Sequence, residues 1–169
     1  EGGMRALPAG APPSEAAIQL RAQGVATAQG LPQTPSLGFV SQLAQNATGS
    51  APYSLALSFR RGVPELQVNT TLQGMALDLP APLGKTADAQ QPLRYEQMVA
   101  RESLVPVAAG ATPPPLRDQV TLDLGSIGSA TYLRDLAGAQ PRVLRGSMGV
   151  GLPAGESAPV VAEGVAANI

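Results

Sequence analysis

The chain contains no cysteine and no histidine. Without cysteine there are no disulfides, no thiolate nucleophile and none of the common zinc frameworks, and the redox compartment goes unread. Without histidine the commonest general base and metal ligand is missing. Aromatic residues are scarce at 3%, and tryptophan is absent. Positive charge is thin: 11 Lys and Arg face 12 Asp and Glu, for a net charge of −1. Lys85 is the only lysine, and the arginines are scattered singly or in the pair Arg60-Arg61. Phosphate binding needs a basic stripe, so this pattern argues against a nucleic-acid partner. No window approaches the ~18 continuous apolar residues of a membrane-spanning helix, and no charged-then-apolar leader is present. Carboxylates and hydroxyls are the groups left for catalysis. Asp78, Asp123 and Asp135 each alternate with apolar neighbours, which points them to water. A hydrolytic carboxylate pair needs two such groups facing across a cleft, and no spacing indicates one. The sequence therefore assigns no catalytic residue, no metal ligand and no cofactor.

Glycine and proline are plentiful, at 19 and 17 residues. That content stays below the level of a disordered chain and suits many short strands joined by tight loops. At 169 residues the chain is one domain or a slice of a longer one. Its opening on Glu1-Gly2-Gly3 and its closing run Val165-Ala166-Ala167-Asn168-Ile169 favour the slice.

The most informative stretch runs from Tyr53 to Lys85. Tyr53, Leu55, Leu57 and Phe59 alternate with Ser54, Ala56, Ser58 and Arg60, the period-2 pattern of a strand with one apolar face. Arg61-Gly62-Val63-Pro64 breaks the run. Leu66, Val68, Thr70 and Leu72 then alternate with Glu65, Gln67, Asn69 and Thr71, so the two runs predict an antiparallel hairpin. After Gly74, the residues Met75, Leu77 and Leu79 resume the alternation until Pro80 and Pro82 end it. On pattern alone, this apolar face is either the inner face of a sandwich or the lining of an open groove.

Within that stretch, Leu72-Gln73-Gly74 and Leu79-Pro80-Ala81-Pro82-Leu83-Gly84-Lys85, followed by Pro92-Leu93-Arg94, resemble a known signature. It is the L-x-G, L-P-x-P-L-x-K and P-L-R series of the YhdP family of AsmA-like bacterial envelope proteins. Weaker likeness extends upstream to Gly24–Ala28 and downstream to Arg145-Gly146. The resemblance implies motif roles for Gly74, Leu79, Pro80, Pro82, Leu83 and Lys85. It also implies a long periplasmic body of twisted β-sheet curled into an apolar trough, in a parent protein anchored to the inner membrane of a Gram-negative bacterium. That body would support phospholipid movement toward the outer membrane without catalysis. No anchor helix stands in these residues, so transport as such would belong to the parent. Lys85 and Arg94, which flank the Pro-rich loop, are read as solvated loop charges, with contact to lipid head groups as the functional alternative.

The remaining chain is read as follows. Residues 1–13 form a linker or loop, and 14–169 a single β-rich segment. Ala16–Ala28 is a strand. One short helix begins at Thr34 with Pro35 in its first turn, carries Leu37, Val40, Leu43 and Ala44 on one stripe, and closes over Asn46–Gly49. Further strands cover Pro92–Ala100, Gln119–Gly125, Ser129–Leu136, Arg142–Leu152 and Pro159–Ile169, with Thr112–Pro115 as a loop. Gly146–Gly151 is a glycine-bent strand, since a phosphate loop would need a following Lys-Ser/Thr and a helix start.

The expected fold is thus mainly β: a twisted antiparallel sheet curled into an open apolar groove, with one short helix. Its expected lining is Leu55, Leu57, Phe59, Leu66, Val68, Leu72, Met75, Leu77 and Leu79. Phospholipid acyl chains, neighbouring β segments of the same parent chain and envelope proteins are the expected partners. The rival expectation is a closed β-sandwich that binds a protein in the envelope; a carboxylate-based hydrolase is a distant third.

Overall fold

The computed structural model describes residues 3–6, 18–30, 44–106, 110–151 and 164–168. Strands occupy most of them: β1 Gly3–Ala6, β2 Ile18–Thr27, β3 Ala47–Arg60, β4 Val63–Thr70, β5 Met75–Leu77, β6 Leu93–Val99, β7 Arg117–Asp123, β8 Gly128–Asp135, β9 Arg142–Val150 and β10 Gly164–Asn168. Eight of them make one open antiparallel sheet, in the order β1-β2-β3-β4-β6-β7-β8-β9. Strand β10 adds in parallel on β9, and β5 pairs the start of β3 off that path. The chain is mainly β, as its alternation predicts.

The β3–β4 hairpin turns on Arg61 and Gly62, with φ of 53° and 77°. Two successive positive φ values are the signature of the two-residue turn whose twist matches the flanking strands. Strand β4 begins at Val63, so Pro64 lies inside it opposite Phe59. Pairing with β6 begins only at Leu66, so the N–H that Pro64 lacks is not missed on that side.

Four expectations change. The stretch read as an N-terminal linker contributes β1, paired to β2 from Gly3↔Arg21 to Ala6↔Ile18. Of the expected helix, residues 34–43 lie outside the described residues; Ala44–Asn46 forms a single 3₁₀ turn, and Ala47–Gly49 already belongs to β3. Strand β5 pairs with that extension of β3 instead of continuing from β4. The backbone groups of 47–49 thereby find sheet partners, which a closing helix would not supply. Finally, β10 runs parallel to β9, whereas a simple meander would have made it antiparallel. Among the described residues there is no α-helix, and none is long and apolar enough to cross a membrane.

Partners across a ladder carry their side chains on the same face, so register assigns faces over the whole sheet. Leu20, Leu57, Leu66, Gln97, Val120 and Tyr132 stand in one line across β2, β3, β4, β6, β7 and β8. Ala22, Leu55, Val68, Tyr95, Leu122, Ala130 and Met148 form the next line on the same side. The intervening line reads Arg21, Ala56, Gln67, Glu96, Thr121, Thr131 and Ser147 on the opposite side. Along these lines one face of the sheet is therefore mainly apolar from β2 to β9, interrupted by Gln97, and the intervening line on the other face is polar.

Candidate functional site: an apolar groove closed at one end

The apolar face is concave where β2, β3, β4 and β6 run side by side, and it encloses a cavity of about 500 Å³. Concavity follows from the twist that strands impose on one another. Leu55 from β3, Leu66 and Val68 from β4, and Tyr95 from β6 form the floor. Tyr53 lies across β2 because Gly24 opposite has no side chain; a Cβ there would sit 2.9–3.0 Å from the Tyr53 ring. At the β2 side Val25, Ala26, Thr27 and Gly30 complete the wall. Leu55, Leu66 and Val68 remain only half-buried at the centre of the sheet. Among the described residues no second layer covers them.

One end of the groove is closed. Ala28, Ala51, Leu72 and Met75 form a buried apolar cluster, with Ala47, Leu77 and Leu93 against it. The loop from Thr71 to Gln91 delivers Leu72 and Met75 to this position. Leu72 has φ of 51°, a conformation costing on the order of 1–3 kcal/mol in a bulky residue. Gly74 follows with φ of 95°. A Cβ on Gly74 would lie 2.4 Å from the Ser50 carbonyl oxygen, and the Gly74 carbonyl accepts the Ser50 N–H at 3.1 Å.

The motif residues build the support behind that end wall. Leu83 and Gly84 donate to the Pro80 carbonyl at 3.0 and 3.3 Å, closing a tight turn through the cis Ala81-Pro82 peptide. The turn returns Lys85 to Leu77, with which it exchanges backbone hydrogen bonds of 2.9 and 3.1 Å. The Lys85 ammonium then donates to the carbonyls of Leu72, Met75 and Thr86 at 2.9, 2.5 and 2.9 Å. Burial pulls this ammonium below its ordinary pKa, and the nearby Asp88 carboxylate opposes the shift. Lys85 is therefore not a solvated loop charge, and with three N–H groups bound to three carbonyls it has none left for a head group. Arg94 lies on the polar face, exposed, donating to Glu96 at 2.7 Å.

Away from the closed end the same face becomes polar. The Tyr95 hydroxyl donates to Gln97 at 3.3 Å. One line further along, Val99, Asp118 and Arg134 are register partners. Asp118 is fully buried and takes two hydrogen bonds from Arg134, at 2.9 and 2.5 Å. That bond raises the Arg134 guanidinium above its usual pKa, against the cost of burial. Burial raises the Tyr95 phenol, and Arg134 opposes it. From Leu93 to Val99 the gradient from apolar to ionic covers roughly 20 Å at about 3.3 Å per residue.

Of the expected lining residues, Leu55, Leu66, Val68, Leu72 and Met75 border the cavity. Leu57 shares their face but lies beyond it, beside Leu66 and Leu20. Phe59 is at the far end, 43% exposed. Leu77 packs behind the end wall, and Leu79 is half-buried in the loop. The alternation within β3 and β4 could have added Tyr53 and Thr70. Nothing local marks Leu93, Tyr95 or the β2 residues, which join through register alone.

Asp78 and Asp123 are exposed, as expected; Asp135 is half-buried and caps the following turn by accepting from Ala137 N–H at 2.9 Å. The carboxylates that are buried, Glu65 and Asp118, stand on opposite faces of the sheet. Each is held by an arginine, Glu65 by Arg60 at 3.2 Å and Asp118 by Arg134. The buried Ser103 hydroxyl donates to Pro115 O at 2.8 Å and accepts from Arg117 N at 2.9 Å, so its partners are backbone groups. Among the described residues no cluster of acidic side chains suits a metal ion. Gly146–Val150 lies in β9 and Gly151 in the turn after it, a strand ending and not a phosphate loop.

Compared with known protein families, curated proteins and solved structures, the chain finds no match.

Proposed function

We propose that this chain binds aliphatic chains of phospholipid in its groove and serves, as a segment of a larger envelope protein, as a passive conduit for them. The observation that carries the reading is that the apolar floor at the sheet centre, Leu55, Leu66 and Val68, is left half-buried beside a cavity of about 500 Å³. Moving a chain of about 15 methylenes from a bilayer into water costs on the order of 10 kcal/mol at roughly 0.8 kcal/mol per CH2. A carrier across an aqueous gap must offset that with a continuous apolar surface, which the line from Ala22 to Met148 supplies, widened by Leu20, Leu57 and Leu66 beside it. The wider setting, a periplasmic body reaching from the inner toward the outer membrane, is supported by the motif residues Gly74 and Leu79 to Lys85.

The test is to purify the chain without detergent, identify co-purifying lipid by mass spectrometry, and titrate a fluorescent acyl probe. Phospholipid in near-stoichiometric amount, lost in Val68→Asp protein that stays folded, is the expected result. A folded, lipid-free protein that ignores the probe would overturn it and favour the second reading, a structural or protein-interaction domain. That second reading has its own support: among the described residues β1 and β10 each pair on one side only, which leaves two strand edges for sheet addition.

A further inference from the structure

Lys85 joins the wall of the groove to the loop behind it. Its backbone pairs with Leu77 of β5, and its ammonium reaches back to the carbonyls of Leu72 and Met75. Those carbonyls belong to the residues whose side chains block the groove's end. An ammonium has three N–H donors, and the third is taken by Thr86. The three N–H donors of the cation are thus taken by backbone carbonyls. Other hydrogen bonds hold the loop nearby, Gly74 N–H to Ala87 O at 2.7 Å and Gln91 N–H to Thr71 O at 2.7 Å, and Met75 N–H donates to the Leu72 carbonyl at 3.1 Å, so Lys85 is a second donor to Leu72 and ties the Met75 carbonyl to the same point.

We infer that Lys85 is the positioning residue that keeps this end of the groove shut, and that it thereby sets the length of straight aliphatic chain the groove accepts. The inference rests on the groove reading above. With the clip in place, a chain entering over Val68 and Leu55 stops against Leu72 and Met75. With the clip removed, the carbonyls of Leu72 and Met75 lose a shared donor, the wall keeps only the Met75 N–H bond to Leu72 and the β5 pairing and loosens, and a longer chain pushes past it toward Leu77.

The experiment displaces a fluorescent acyl probe from the full chain with straight-chain fatty acids from lauric through palmitic to arachidic, in wild type and in Lys85→Met. Methionine keeps an apolar stem of similar size without the donors. In wild type, affinity should climb with length and then stop climbing. In K85M the limit should move to longer chains, with roughly fourfold tighter binding for each additional methylene that is now buried. A wall that is merely a stability element would weaken all chains alike and leave the limit where it was. An unchanged limit in folded K85M overturns the inference while leaving the groove reading intact. Wild type that binds no member of the series overturns both.

Should K85M fail to fold, the folded wild type can be treated with an amine acetylating reagent, since Lys85 is the only lysine side chain. Acetylated protein that shows the longer limit supports the inference, and acetylated protein with the wild-type limit sinks it. Repeating the series with phospholipids of matched chain length tells whether the accepted chain comes from free fatty acid or from lipid.

Discussion

At the scale of single residues, the polar end of the groove makes the sharpest demands. Asp118 is fully buried and Arg134 is half-buried, and their charges compensate each other. Arg134→Met leaves the carboxylate without its counter-charge and should cost about 3–5 kcal/mol in urea unfolding. Replacing both, as Asp118→Leu with Arg134→Met, should recover most of that loss, because a well-packed apolar pair avoids the desolvation of two ions. Tyr95 gives a pH signature. Its phenol is raised above the ordinary ~10 by burial, with Arg134 opposing. The unfolded chain therefore loses this proton first as pH rises. Stability should be level below about pH 10 and fall through the interval up to the folded pKa. Phenolate absorbance and urea midpoints measured together would show this, and Tyr95→Phe should remove it. None of this was legible locally: the expected strand began at Gln119 and excluded Asp118, and Arg134 comes within reach of it only across the β7–β8 ladder.

At the scale of elements, the loop between β4 and β6 decides the shape of the groove. Its glycines are there for space and for conformation. Gly74→Ala places a methyl group against the Ser50 carbonyl in a left-handed conformation, and the conformation alone costs about 1–2 kcal/mol. The expected outcome is a lower melting temperature together with loss of acyl-probe binding, because Leu72 and Met75 on either side are displaced with it. The proline-rich stretch was recognised in the sequence as the end of a strand run. That it folds back so that Lys85 bridges to Leu77 was not, since the motif names residues and leaves their three-dimensional partners unstated. The start of β3 was missed for a related reason. Ala47–Gly49 has no apolar alternation of its own and becomes a strand only because β5 comes to pair with it.

At the scale of the whole molecule, a single sheet with one apolar face has few fully buried side chains, and its buried apolar residues include two groups on that face. One is the end wall at Ala51, Leu72 and Met75; the other is Val120 and Leu122 of β7, register partners of Tyr132 and Tyr95. Protection from hydrogen exchange should follow that distribution. Amides of β3, β4, β6 and β7 should exchange slowest, and those of β1 and β10, each paired on one side among the described residues, fastest. Exchange followed by mass spectrometry checks this, and addition of a phospholipid ligand should slow β4 and β6 more than β8 and β9.

What the amino-acid sequence determined by itself is the set of strands from Tyr53 onward, their turns, and the division of each into an apolar and a polar row. These follow from a period-2 alternation and from glycine and proline, all local properties that a few neighbouring residues carry. Tertiary structure alone decided which rows align into one face, which end of that face is closed, and what Lys85, Asp118 and Arg134 do there. Those depend on register, set by turn geometry and long-range pairing, and a shift of one residue would send every side chain of a strand to the other side.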